Sequence, residues 1–317
     1  MISAKDEFLH EFKKSPDWQE IYSVNFVDRK NKIYGFADIN YHFHIRRVEF
    51  LWALFYNDSL YSYNSQAEFD GLPTSRIHAD RGFRYKVVSP LEKIELSLKN
   101  ESVSAGFTVI GAYPVYNFPA HLPSGAGGQG IPEMKLWERY EQRCRVSGSI
   151  SVAGWRKKGH AKRVDCIGHR KHSWGERLPD RLSCYSWITI QFRDMAMDLT
   201  YLEIDRVPYS NGFISRRTGN IPIMSVEMEL LSLSRESRSL QSTEFSYRDA
   251  QDDRDLIVSK RLHSFEMPLP KNKRQRFVRF RAFSEFTVIG TNKKGIGMEE
   301  HYISLEKMKN IEQSLPS

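Results

Sequence analysis

From Ile33 onward the chain is written in short runs of alternating apolar and polar residues, broken by turn pairs, a pattern that long helices cannot absorb. Residues 33–39 and 47–56 are the first such runs, and 83–88, 94–98 and 105–110 follow. Asn57-Asp58, Asp70-Gly71 and Lys99-Asn100 supply the breaks between several of them. Repeated short strands with hairpin-type breaks predict an antiparallel sandwich or barrel. No long helical pattern stands between strands, which argues against a parallel α/β sheet. Only the first twenty residues read differently. Phe8, Leu9 and Phe12 fall on one helical face, and Ser15-Pro16-Asp17 ends the pattern, so a short N-terminal helix is expected.

A Gly-rich stretch, Leu122 to Pro132, interrupts the strands and reads as a connector or lid. It lacks the Gly-Lys-Ser/Thr ending of a phosphate loop, and no βαβ unit surrounds it. Strands resume at 140–154, 187–193, 197–204, 225–233, 276–286 and 298–303. The expected division is therefore a β domain over 1–124 and a second over 133–317. Phe107-Thr108-Val109-Ile110-Gly111 recurs as Phe286-Thr287-Val288-Ile289-Gly290, a small hint that the halves are alike.

Composition excludes several function classes. No run of eighteen apolar residues exists, so no transmembrane helix is expected, and the first residues lack a secretory signal. Cys144, Cys166 and Cys184 are odd in number and form no CxxC pair; they read as reduced thiols of a cytoplasmic protein. The net charge of +8 is concentrated in Arg156-Lys157-Lys158 and between Lys271 and Arg281. Such a balance fits a solvated basic face, with room for peripheral contact with an anionic membrane. Nucleic acid is a poor fit. Along 277–283, alternation puts Val278, Phe280 and Ala282 on a core face and Arg279 and Arg281 on a water face, leaving few aromatics to stack bases.

Gly168-His169-Arg170-Lys171-His172-Ser173-Trp174-Gly175-Glu176-Arg177 carries the densest chemistry. In an extended segment Arg170, His172 and Trp174 share one face. His172 can gain or lose a proton near neutral pH, and Trp174 offers a π face to an apolar or cationic ligand. His169 and His172 face opposite ways in a strand, so no metal site is expected. A plainer reading makes His172 a hydrogen-bonded core histidine and Trp174 a core plug.

The spacing from Gly168 to Arg177 resembles the signature of the carotenoid 1,2-hydratase (hydroxyneurosporene synthase)-like superfamily. Tyr140-Glu141-Gln142, Trp187 to Phe192 and Gly295 to His301 resemble further strands of that family, so the likeness is motif-level in the second half and loose in the first. The resemblance implies an all-β chain of two lipocalin-like barrels. It also implies an apolar small-molecule ligand, isoprenoid, polyene or fatty-chain, and proton-driven hydration, isomerisation or cyclisation without cofactor or metal, the work of a lyase or isomerase. His172 and Trp174 match the family's His-x-Trp, with Tyr185 and Asp198 as supporting catalytic candidates. Trp187, Gln191 and Tyr201 are candidate substrate contacts. The family pattern expects an acid beside Tyr185, and Ser183-Cys184-Tyr185-Ser186 has none. Along the next strand, either Asp198 with Thr200 or Leu199 with Tyr201 faces the cavity. The rival reading is a non-catalytic carrier of apolar ligands.

Overall fold

The computed structural model describes residues 2–12, 15–70, 76–118, 137–153, 161–177, 182–234, 239–269 and 276–314. The chain is all-β, with nineteen strands among the described residues, and forms two compact units. The first joins Met1–Ala120 with Leu136–Arg177, and the second runs from Leu178 to Ser317.

The first unit opens with β1 (Trp18–Asp28), β2 (Ile33–His42), β3 (Arg47–Tyr56), β4 (Ser59–Glu68) and β5 (Ile77–Ala79). It continues with β6 (Phe83–Ser89), β7 (Lys93–Lys99), β8 (Val103–Gly111) and the short β9 (Tyr116–Phe118). Two long strands, β10 (Glu138–Val152) and β11 (Lys162–Glu176), complete it. The sheet runs β4-β3-β2-β1-β11-β10-β8-β7-β6-β5, with β9 on β10. Asn57 and Asp58 both take positive φ, at 47° and 63°, as a two-residue hairpin between β3 and β4 requires.

The two edges of this curled sheet are tied by side chains. Tyr63 and Ser65 of β4 donate to Asp80, which follows β5, and Trp52 Nε1 donates to the Gly82 carbonyl at 3.0 Å. Aromatic and aliphatic side chains of alternate positions, among them Phe26, Trp52, Leu96 and Val146, fill the interior.

The division differs from the one expected from the Gly-rich stretch, all of which, residues 122–132, lies outside the described residues. β10 pairs with β8 and β11 with β1, through ladders that run most of each strand's length. The motif strand β11 thus belongs to the first unit, not to the domain expected over 133–317. The N-terminal helix is also shorter than the sequence suggests. Ala4–Glu7 is a single 3-10 turn, and β1 takes up Trp18 onward.

The second unit is a closed eight-stranded barrel. Its strands are β12 (Leu182–Gln191), β13 (Ala196–Ile204), β14 (Val207–Arg216), β15 (Gly219–Ser234), β16 (Ser239–Asp249), β17 (Arg254–Glu266), β18 (Phe277–Val288) and β19 (Lys294–Ser304). Each pairs with its sequence neighbour, and β12 with β19 closes the ring. A helix, α1 (Leu305–Ser314), follows, which the sequence reading did not anticipate. Phe107 and Val109 in the first unit and Phe286 and Val288 in the second all point into cores, so the recurring pentapeptide occupies equivalent inward positions. Arg281 departs from its expected water face. It is 2% exposed, because Glu300 directly across the ladder accepts from its Nε and Nη2 at 3.0 and 2.7 Å. No helix among the described residues is long and apolar enough to cross a membrane.

Candidate active site

Alternation along β11 turns Arg170, His172 and Trp174 into the interior of the first unit and His169 the other way, where its Nε2 meets Glu141 Oε2 at 2.6 Å. Two glycines bracket the motif for steric reasons. A Cβ on Gly168 would lie 2.6 Å from the Asn25 carbonyl oxygen. Gly175 has φ of 133°, and a Cβ there would meet the Trp137 Cα at 2.9 Å.

His172 sits between aromatic neighbours on adjoining strands. Tyr22 of β1 and Tyr140 of β10 are its cross-strand partners. The Tyr22 ring stacks on it at 3.9 Å and the Tyr140 ring meets it edge-on at 5.6 Å. Trp174 lies 5.1 Å away and is itself stacked on His10 at 3.8 Å.

The polar contacts of His172 define a proton chain. Its Nδ1 donates to the Asp6 carbonyl at 2.8 Å, and its Nε2 meets Glu20 Oε1 at 2.7 Å. The same Glu20 oxygen takes His10 Nδ1 at 2.9 Å, and Glu20 Oε2 takes the His10 backbone N–H at 3.0 Å. Burial alone would raise the Glu20 pKa, but the hydrogen bonds from His10 and His172 and their charges outweigh it and hold the carboxyl below its ordinary value. An ionised Glu20 places the proton of the 2.7 Å contact on the imidazole. Glu20 and His172 are both buried, whereas His10 is half-buried, so the chain of groups leads from the interior toward solvent. His10, Glu20 and His172 also present ligand atoms close enough together to hold a cation.

The N-terminal 3-10 turn is fastened over this site. Glu7, fully buried, accepts Arg170 Nη1 at 3.0 and 3.1 Å and the Leu91 N–H at 2.6 Å. Arg170 Nε reaches Gln142 at 2.8 Å. His78 also adjoins Tyr22, 4.9 Å from it ring to ring, with its Nδ1 2.7 Å from the Tyr41 hydroxyl. Burial, helped by the charge of His172 and opposed by that of Glu20, pushes the His78 pKa down to about 4, so its ring is neutral.

The remaining expected site residues lie in the second unit. Trp187 Nε1 donates to Asp198 Oδ2 at 2.6 Å, and both are fully buried. Asp198 lies on the face opposite Met197 and Leu199, which are in the barrel core. Tyr201 packs against Cys184, Phe280, Ile303 and Met308, so Leu199 with Tyr201, not Asp198 with Thr200, is the inward pair. Burial, with Glu203 and Cys184 nearby, pushes the Tyr201 hydroxyl up to about 12. Tyr185 is half-buried, and Gln191 is buried with no side-chain hydrogen bond among the described residues. Inside the barrel, Ser186 Oγ meets His301 Nδ1 at 2.8 Å and His301 Nε2 meets Glu299 Oε2 at 3.2 Å.

Thus the structure joins His172 to Trp174 and Trp187 to Asp198, in separate units. It adds Glu20, His10, Tyr22 and His78 to the first group. Glu20 has a sequence signal: it is an acid set within the otherwise apolar face Trp18, Tyr22, Val24, Phe26. His78, in a three-residue strand, has none.

A curled sheet and a closed eight-stranded barrel together make an all-β, lipocalin-like fold. Solved structures bear this out at the level of fold. A putative AttH (NE1406) from Nitrosomonas europaea is 12% identical, covering 90% of this chain and 92% of its own, with a TM-score of 0.67. Kievitone hydratase from Nectria haematococca is 10% identical over 96% and 93%, with a TM-score of 0.66. CghA, solved with Sch210972, is 10% identical over 91% and 89%, with a TM-score of 0.61. The chain belongs to the family described as domain of unknown function DUF7064, whose model matches residues 3–302. No curated protein matches the sequence.

Proposed function

We propose that the first unit is the reactive one, an acid–base enzyme that hydrates, isomerises or cyclises an apolar substrate. The observation that carries this reading is the buried Glu20–His172 contact at 2.7 Å, set against the rings of Tyr22, Tyr140 and Trp174. A proton held in such a place is shielded from water and faced by π systems that stabilise developing positive charge. His172 delivers the proton, Glu20 supports the imidazolium, and His10 returns a proton from the solvent side. Trp174 forms a wall. The donor role that the sequence offered to Asp198 passes to this pair, since Asp198 is engaged by Trp187. Tyr185, Trp187, Gln191 and Tyr201 then shape the second unit and do not share in the proton chain. The names of the structural neighbours, one a hydratase, are consistent with it.

The carrier reading is favoured by one feature, the closed barrel of eight strands, a size that holds one small ligand in lipocalins. Organic extraction followed by mass spectrometry separates the two. The enzyme reading predicts one molecule from native protein and a different one, its unconverted substrate, from folded His172→Ala. The same molecule from both proteins returns the chain to a carrier.

A further inference from the structure

His78 is 2% exposed, and its Nε2 has no hydrogen-bond partner among the described residues. Three tyrosines surround the ring, and none serves that atom. Tyr22 and Tyr85 turn their hydroxyls to Glu7, at 3.4 Å from its backbone and side-chain oxygens respectively. Tyr41 reaches the other nitrogen, Nδ1.

The tautomer follows from Tyr41. Burial raises its pKa, so the hydroxyl keeps its proton, and Nδ1 is its only hydrogen-bond partner among the described residues. The hydroxyl therefore donates to Nδ1, and the neutral ring carries its own proton on Nε2. The result is an unmatched N–H donor buried among aromatic rings, close to Tyr22, whose ring also stacks on His172. A buried donor without an acceptor in the chain is costly, and in folded proteins such groups are matched by water, an ion or a bound molecule.

We propose that His78 Nε2–H is the specificity-determining contact for a carbonyl oxygen, so that the ligand of the first unit is a ring-bearing apolar ketone or enone and not a plain hydrocarbon. This rests on the reading that the first unit takes an apolar ligand. A neutral imidazole suits the task, because it donates to a carbonyl without bringing a charge into an apolar site. It also fits the strength of the neighbouring acid. An imidazolium is too weak to protonate an isolated alkene, but when water adds to the β-carbon of an enone the electron pair moves to the hydrogen-bonded carbonyl oxygen, and the α-carbon of the resulting enol is basic enough to take the imidazolium proton. The Glu20–His172 pair and His78 then both adjoin one aromatic ring, Tyr22, which brings a proton source and a carbonyl anchor to the same place.

The test compares 1-tetralone with tetralin, the same bicyclic skeleton with and without one carbonyl oxygen, by calorimetric titration of the full chain. In an apolar site without a donor tetralin wins, since desolvating the carbonyl is unfavourable. The native protein is expected to prefer 1-tetralone by about tenfold, the worth of one good hydrogen bond. The infrared C=O band of the bound ketone should shift to lower frequency. His78→Phe reverses the preference and removes the shift, while Tyr41→Phe, which unlocks the tautomer, reduces both. His172→Gln keeps the ketone preference, so loss of catalysis and loss of recognition are read separately. Native protein that prefers tetralin, as a site housing only water would, or that binds neither compound, overturns the proposal. So does folded His78→Phe that still prefers the ketone.

Discussion

Replacing Glu20 tests the buried proton chain through stability, independently of any substrate. Glu20→Gln keeps the shape of the side chain and removes its charge. The carboxylate accepts from His172 Nε2 at 2.7 Å and His10 Nδ1 at 2.9 Å, both charge-assisted contacts. A hydrogen bond to a charged group contributes roughly 1.5–3 kcal/mol and a neutral one about 0.5–1.5 kcal/mol, so each contact loses about 1 kcal/mol or somewhat more. The variant should be less stable than native by about 2–3 kcal/mol, and Glu20→Ala, which leaves the His172 and His10 ring donors without their acceptor, by about 3–5 kcal/mol. For a unit of this size the loss lowers Tm by roughly 4–12 °C in the Gln variant. The pH dependence has a definite sign. Because the folded-state pKa of Glu20 lies below its ordinary value of 4.5, its contribution is full above that pH and fades as pH falls through the folded value. Urea unfolding at pH 7 and at successively lower pH should therefore show a gap between native and Glu20→Gln that closes on acidification. A gap under about 0.5 kcal/mol at pH 7, or one that widens with acid, would refute the assignment of the charge to Glu20 and the proton to His172.

Three further outcomes follow from the packing. Burial pushes the thiols of Cys144 and Cys184 up to about 12 and about 11, and that of Cys166 upward as well, so native protein at pH 8 should resist a disulfide reagent that labels all three once urea unfolds the chain. Gly175→Ala forces an L residue to φ of 133° against Trp137 and should cost roughly 1–3 kcal/mol in urea unfolding, whereas an exposed-strand substitution such as Ser104→Ala should cost under about 0.5 kcal/mol. Trp187→Phe removes the 2.6 Å donor to buried Asp198 and should destabilise the barrel by about 1–3 kcal/mol while leaving ligand conversion unchanged; loss of conversion in a folded variant would move the chemistry toward the second unit.

Much of the fold is legible because period-two patterning and turn chemistry are local properties. Asn57-Asp58 specifies its hairpin by itself, and runs such as 47–56 declare an inward face without reference to any partner. Partners are another matter. Nothing local tells β11 that it will lie between β1 and β10, and a Gly-rich stretch upstream suggests a domain boundary that the hydrogen-bond ladders do not respect. Arg281 illustrates the same limit: alternation assigns it to water until Glu300 arrives across the ladder to neutralise it. In the candidate site, His172 and Trp174 stand out from composition and spacing alone. Their acid is harder to find, because reading the first twenty residues as mainly helical draws attention away from the alternation that begins at Trp18 and carries Glu20. His10 and His78 reach the site from a turn-linked segment and a three-residue strand, where no periodicity marks them.

The central claim is that the first unit transfers a proton to a carbon of its ligand, and isotope transfer tests it most directly. The ligand extracted from His172→Ala is returned to native protein in D2O, and the product is analysed by mass spectrometry and NMR. The account predicts that the product carries one solvent deuterium on carbon, and that Glu20→Gln forms it far more slowly. Conversion that leaves every carbon free of deuterium would contradict it.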